Sequence, residues 1–179
     1  MSDTAVLVVD MLNSYQHPDA ELLIPNTEKI VEPLADLVQR ASDTDHVDVI
    51  YVNDNYGDFT AEFSDIVRAA CDGARPDLVE PILPAKGSHL LTKVRHSAFY
   101  ATPVAYLLRR LDTKRVILTG QVTEQCVLYT ALDAYIRHIP VVVPRDAVAH
   151  IDAELGAAAL TMMQRNMGAE LTTAADCLG

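Results

Sequence analysis

Asp10, Lys93 and Cys126 are three residues of this chain whose types, taken together, could do covalent chemistry. Each falls at or just after the C-terminal end of a different expected strand. Ala5–Val9 (AVLVV) precedes Asp10, His89–Val94 (HLLTKV) contains Lys93, and Arg115–Thr119 (RVILT) precedes Cys126. In a parallel sheet those ends share one edge, where open α/β proteins form their ligand crevice. A carboxylate beside a thiol accepts its proton as general base. An ammonium nearby lowers the thiol pKa and keeps the carboxylate ionised. The reaction so implied is thiolate attack on a carbonyl, followed by hydrolysis of a thioester-like acyl-enzyme. The same aspartate would protonate the leaving group and then activate water. Backbone N–H groups around Cys126 would stabilise the oxyanion.

The stretch RVILTGQVTEQCVLYTALD, Arg115 to Asp133, has the mechanics for this. A β-branched strand ends at Gly120, which turns the backbone where a side chain would obstruct it. Thr123 has the chemistry of a helix N-cap. Cys126, Val127, Thr130, Ala131 and Ala134 then recur at helical spacing. With Thr123 as N-cap, Cys126 is the third helical residue, where free N–H groups and the helix dipole favour a thiolate. Strand, sharp turn, nucleophile and helix form a nucleophile elbow. Each residue also has an ordinary reading when taken alone. A lone cysteine is commonly a small buried hydrophobe, an aspartate after a strand caps its loop, and a strand lysine snorkels at an edge.

The elements that must position these residues alternate along the chain. Helices are expected over Asn26–Ala41, Thr60–Cys71, Thr102–Leu111 and Asp152–Met167, with Gly168 as a stop. Further strands are expected at Val49–Val52, Ile139–Val143 and, at an edge, Ala169–Thr172. Asp72–Pro84 reads as irregular with a short helical turn. Strand–helix alternation predicts an α/β fold with a parallel sheet and right-handed crossovers, as one domain over 1–179. No G-x-G-x-x-G or G-x-x-x-x-G-K-[ST] occurs, so nothing points to dinucleotide or nucleoside triphosphate binding.

A formal charge of −11 argues against nucleic acid and against an anionic membrane surface. No apolar run reaches the roughly 20 residues of a membrane span. MSDTAVLVVDM has no basic n-region and meets Asp10 early, which reads as the first strand of a cytoplasmic protein. The cysteines, Cys71, Cys126 and Cys177, are odd in number and share no C-x-x-C spacing, so no disulfide framework is expected. His17, His46, His89, His96, His138 and His150 show no metal-ligand spacing.

The chain resembles the isochorismatase-like cysteine hydrolases. The likeness runs from VVDMLNSY through YVNDNYGDF and KVRHSAFYATPV to LTGQVTEQCVLYTALDAY and VVVPRDAVAH. It implies a three-layer α/β sandwich with a six-stranded, mainly parallel sheet and helices on both faces. It also implies frequent dimers or tetramers, and a small-molecule substrate as partner. Carried over, Asp10 is the proton acceptor and donor, Lys93 its electrostatic partner and Cys126 the nucleophile. A cis peptide would fall between Gln121 and Val122, aiming the N–H groups of Val122 and Cys126 at the oxyanion.

Two features narrow the reaction within that resemblance. Vinyl-ether-cleaving isochorismatases typically lack the elbow cysteine, so its presence favours cleavage of a C–N bond in an amide or carbamoyl compound. Nicotinamidase-like members carry a metal-binding D-x-H motif after the second strand, where this chain has Asn53-Asp54-Asn55. No metal and no cofactor are therefore expected. Tyr15, Asn53, Phe99, Gln121 and Val122 are the candidate substrate-pocket residues, with Phe99 equally readable as core. Gln121 stands where many relatives carry a small or apolar residue, and either reaches the substrate or caps the turn. The competing functions are vinyl-ether hydrolysis, which needs only Asp10 and Lys93, and a non-catalytic binding role on the same fold.

Overall fold

A computed structural model describes residues 3–179. The chain forms a parallel sheet with the order β3-β2-β1-β4-β5-β7, built from β1 (Thr4–Val9), β2 (Val47–Asp54), β3 (His89–Lys93), β4 (Arg115–Gln121), β5 (Val141–Pro144) and β7 (Glu170–Thr172). Every pairing is parallel. A seventh strand, β6 (Val148–Ala149), pairs with Gly120 and Gln121 at the end of β4. It adds to the six expected strands. Two residues carry no periodicity, which is why β6 is invisible as a pattern.

Helices cover both faces because the central strands bury both. Val6 and Val8 of β1 pack with α1 (Ala20–Ser42), α2 (Phe63–Cys71) and α3 (Pro76–Val79). Ala5, Leu7 and Val9 face the other way, towards α4 (Val104–Leu111), α5 (Leu128–Ile136) and α6 (Ala153–Met167). The alternation is the period of two of a strand with two apolar faces. No helix among the described residues is long and apolar enough to cross a membrane.

The helix α1 begins six residues earlier than its sequence suggests and contains both Pro25 and Pro33. Each proline removes a donor from the helical ladder. The helix persists because Leu23, Ile30, Leu34 and Leu37 are buried against the sheet, so tertiary burial overrides local propensity. At the other end of the chain the signals act as read. Asp152 caps α6 by accepting from the N–H groups of Glu154 and Leu155, and Gly168 ends it at φ 68°.

One close approach fixes the site end of the sheet. Gly120 has φ 101°, and a Cβ there would stand 2.1 Å from the carbonyl oxygen of Val9. Only glycine lets β4 leave the sheet alongside β1 at this point.

Candidate active site

The C-terminal ends of β3, β2, β1 and β4 lie side by side, and each delivers a polar residue to one place. Lys93 ends β3, Asp54 ends β2, Asp10 follows β1, and Cys126 follows β4. Asp54 and Lys93 are register partners on adjacent strands. Lys93 Nζ lies 2.8 Å from Asp10 Oδ2, 3.3 Å from Asp54 Oδ2 and 3.7 Å from Cys126 Sγ. The Asp54 N–H donates to Asp10 Oδ1 at 2.8 Å. The three residues singled out from the sequence therefore meet, and Asp54 joins them.

The electrostatics follow from burial. Lys93 is only 1% exposed, which is far from the ordinary edge lysine. Burial is the largest single influence and works against its ammonium, but the surrounding acidic groups, Asp10 first among them, together outweigh it and hold the pKa above its usual value. Burial raises the Asp10 pKa above the ordinary carboxylate value, with the Lys93 charge opposing. The Cys126 thiol is pushed up as well, first by burial and then by the Asp10 carboxylate, despite the Lys93 ammonium. The expected depressed thiol pKa is thus reversed. Desolvation and a like charge exceed the pull of one lysine.

The elbow is built differently from the simple helix start. The Gln121–Val122 peptide is cis. Thr123–Val127 forms a π-helical turn, closed by the Val127 N–H on the Val122 carbonyl at 3.1 Å, and α5 follows. Val122 occupies the N-cap position and Thr123 caps nothing; its Oγ1 is buried without a partner. The wider turn makes room for Cys126 to face the lysine. Glu124 Oε1 accepts from the N–H groups of Ile151 and Asp152, at 2.9 Å each, and so ties the loop before α6 to the elbow. His96 Nδ1 also lies 3.9 Å from Cys126 Sγ.

A cavity of about 440 Å³ opens from Asp10 and Cys126. Val122 and Gln121 line it, as do Asn13, Gln125 and Tyr56. Three other candidate pocket residues do not. Tyr15 is buried outside the cavity lining, and its hydroxyl accepts from Gln121 Nε2 at 3.4 Å. Asn53 is 1% exposed and spends its amide on the backbone of Leu12, accepting from N and donating to O. Phe99 belongs to the core on the α5 side, beneath the Arg137 guanidinium. Gln121 reaches the cavity, but its amide is occupied. It donates to the Asp10 carbonyl at 2.8 Å and accepts from Thr27 Oγ1 at 2.9 Å.

Sequence reasoning missed Asp54 and most of the wall. Asp54 obeys the same rule that found Asp10 and Lys93, a polar residue at the end of a buried strand. It is hidden because Asn53-Asp54-Asn55 also reads as a turn. The wall residues from Asn13 to Asp19 lie on an irregular segment with no periodic signal. Among the described residues, no group of three or more His, Cys, Asp or Glu is arranged to hold a metal ion.

The chain has many relatives of known sequence or structure. A family model described as the isochorismatase domain matches residues 4–176. The uncharacterized isochorismatase family protein YaaI of Bacillus subtilis is 37% identical over 172 residues, 96% of this chain and 94% of that protein. A maleamate amidohydrolase of Pseudomonas putida is 28% identical over 152 residues, covering 80% of this chain and 71% of its own length. The crystal structure of N-carbamoylsarcosine amidase from Thermoplasma acidophilum superposes with a TM-score of 0.79 at 28% identity, covering 100% of both chains. With a matching domain across nearly its whole length and a relative of more than one third identity, the chain belongs to the isochorismatase family.

Proposed function

We propose that the chain is a metal-independent cysteine amidohydrolase that cleaves the C–N bond of a small amide or carbamoyl compound. The observation that carries this reading is the meeting of Asp10, Lys93 and the Cys126 thiol, with Asp10 and Cys126 lining one small cavity. Two of its relatives are named for amide or carbamoyl hydrolysis, a maleamate amidohydrolase and an N-carbamoylsarcosine amidase. Maleamate and N-carbamoylsarcosine each carry a carboxylate besides the group that is cleaved.

Burial and the Asp10 carboxylate raise the thiol pKa, which favours attack and proton transfer going together. Cys126 Sγ bonds to the carbonyl carbon as its proton passes to Asp10. The carbonyl π electrons move to oxygen, where the N–H groups of Val122 and Cys126 receive the charge. Collapse of the tetrahedral species breaks the C–N bond, and Asp10 returns its proton to the departing nitrogen. Water then attacks the thioester carbonyl carbon while Asp10 takes a proton from it. Collapse releases the acid, and Sγ regains its proton. Lys93 remains an ammonium throughout. It orients the Asp10 carboxylate and offsets the negative charge near sulfur.

The test is ammonia release over a panel of small amides by the wild-type chain and by Cys126→Ala. Turnover is expected to fall at least about a thousandfold in the variant, with an acyl adduct on Cys126 of the wild type detected by mass spectrometry. Retained turnover in Cys126→Ala would remove the nucleophile. If it were retained with a vinyl ether as substrate, it would favour ether cleavage through Asp10 and Lys93.

A further inference from the structure

The lining of the cavity is acidic. Three of its lining residues are carboxylic acids: Asp10 beside Cys126, Asp54 at the end of β2, and Asp19 at the start of α1. No lysine or arginine lines it. Lys93 is the nearest ammonium, but its side chain has no exposed surface and is set between Asp10 and Asp54. Arg95 is exposed on the loop after β3 and lies outside the lining.

The Asp54 side chain is 24% exposed, with Oδ1 accepting from the Tyr56 N–H at 2.8 Å and Oδ2 3.3 Å from Lys93 Nζ. The Asp19 side chain is exposed and caps no N–H of α1. The other polar groups of the wall include Asn13, Gln16 and Gln125, which are neutral amides. His17 is the one further lining side chain able to take a positive charge, and its Nε2 is buried without a partner. Three carboxylates thus face one enclosed ammonium. A carboxylate brought into this space meets like charges, whereas an ammonium meets Asp54 and Asp19.

Resting on the amidohydrolase reading, we propose that this site takes a small amide or carbamoyl compound whose far end is a hydrogen-bond donor, best of all an ammonium. It rejects the matching compound that carries a carboxylate. The scissile carbonyl sits at Cys126 and the donor end lies towards Asp54 and Asp19. A cavity of about 440 Å³ suits a compound of that size. The preference sets the chain apart from the carboxylate-bearing substrates for which its relatives are named.

Three amides that differ only in the terminal group decide the question: 3-aminopropionamide, butyramide and succinamate, which end in an ammonium, a methyl and a carboxylate. Binding is read at neutral pH by thermal shift on full-length Cys126→Ala, where no turnover intervenes. The ammonium compound is expected to bind at least about tenfold more tightly than the carboxylate compound. Asp54→Asn and Asp19→Asn, each made in that background, should narrow the gap about threefold or more, as should high salt. Equal or tighter binding of succinamate overturns the inference, and so does the absence of any shift with 3-aminopropionamide. Acylation of wild-type Cys126 by p-nitrophenyl acetate is followed separately by mass spectrometry. Its failure would count against the cysteine mechanism and leave the charge ranking measured on Cys126→Ala intact.

Discussion

Asp54 and Lys93 sit opposite each other on adjacent strands, and the carboxylate of one comes within 3.3 Å of the ammonium of the other. Through its N–H, Asp54 also holds Asp10 Oδ1. One residue therefore touches both charged partners of the thiol. The edge strand β3, which is partly open to solvent, is fastened to the centre of the site by side chains as well as by its ladder.

Lys93→Met removes the cation that two carboxylates share. Breaking a buried ion pair by deleting one member costs about 3–5 kcal/mol. Denaturant unfolding should show a loss of that order at neutral pH. The loss should shrink as pH falls and Asp10 becomes protonated.

Asp10→Asn should separate reactivity from catalysis. The carboxylate is the second cause, after burial, of the raised Cys126 pKa. Its removal lowers that pKa, so iodoacetamide should label Cys126 several-fold faster in the variant at a given neutral pH, on the order of 3–10-fold. Amide turnover should nevertheless be lost for want of a proton acceptor. Slower labelling in Asp10→Asn would contradict the electrostatics described here.

The same thiol makes stability depend on alkaline pH. Its folded-state pKa is raised above the unfolded value of about 9. The unfolded chain therefore releases this proton first, and the contribution, complete below pH 9, is lost as pH rises beyond it. Tm of the wild type should fall more steeply than that of Cys126→Ala above pH 9, with parallel curves below.

Gly120→Ala should be among the most damaging single changes. The added Cβ would meet backbone atoms of Val9, at 2.1 Å from O and 2.8 Å from N, neither able to move without parting β1 from β4. A cost above about 4 kcal/mol is expected, read as unfolding or insoluble expression. Gly57→Ala is the control. It has φ 85° and nothing within 4 Å, so only the backbone penalty of about 1–2 kcal/mol applies.

The sheet and the meeting of Asp10, Lys93 and Cys126 were legible because both follow simple physical rules. Val6 and Val8, with Ala5, Leu7 and Val9, belong to two cores, so AVLVV could only be a strand buried on both faces. Polar residues ending such strands had to meet at one edge, and Asp10, Lys93 and Cys126 do. What was hidden depends on tertiary context. Burial of α1 against the sheet carries it through two prolines. The sign of the Cys126 shift depends on how much water is excluded and how near Asp10 stands, which spacing does not encode. Tyr15, Asn53 and Phe99 have suitable side chains near the right strand ends, yet they are turned inward to satisfy the backbone or fill the core. Polarity at the correct end of a strand located the chemistry, but it did not locate the wall.

The grip of Gln121 on the Asp10 carbonyl has a consequence for how such a protein can change. Asp10 and the turn that bears Cys126 are braced to one another, and Thr27 of α1 secures the brace. Much of the cavity wall comes from elsewhere, chiefly Asn13, Gln16, His17, Tyr56, Gln125 and Ile151. Several of those positions are nevertheless tied to the same brace: Tyr15, within the loop from Asn13 to Asp19, meets Gln121 Nε2, Gln125 lies in the π-helical turn itself, and Glu124 of that turn holds the Ile151 N–H. The wall and the turn that bears Cys126 are therefore mechanically coupled. A change in the wall is felt at the sulfur, so the two must be altered together.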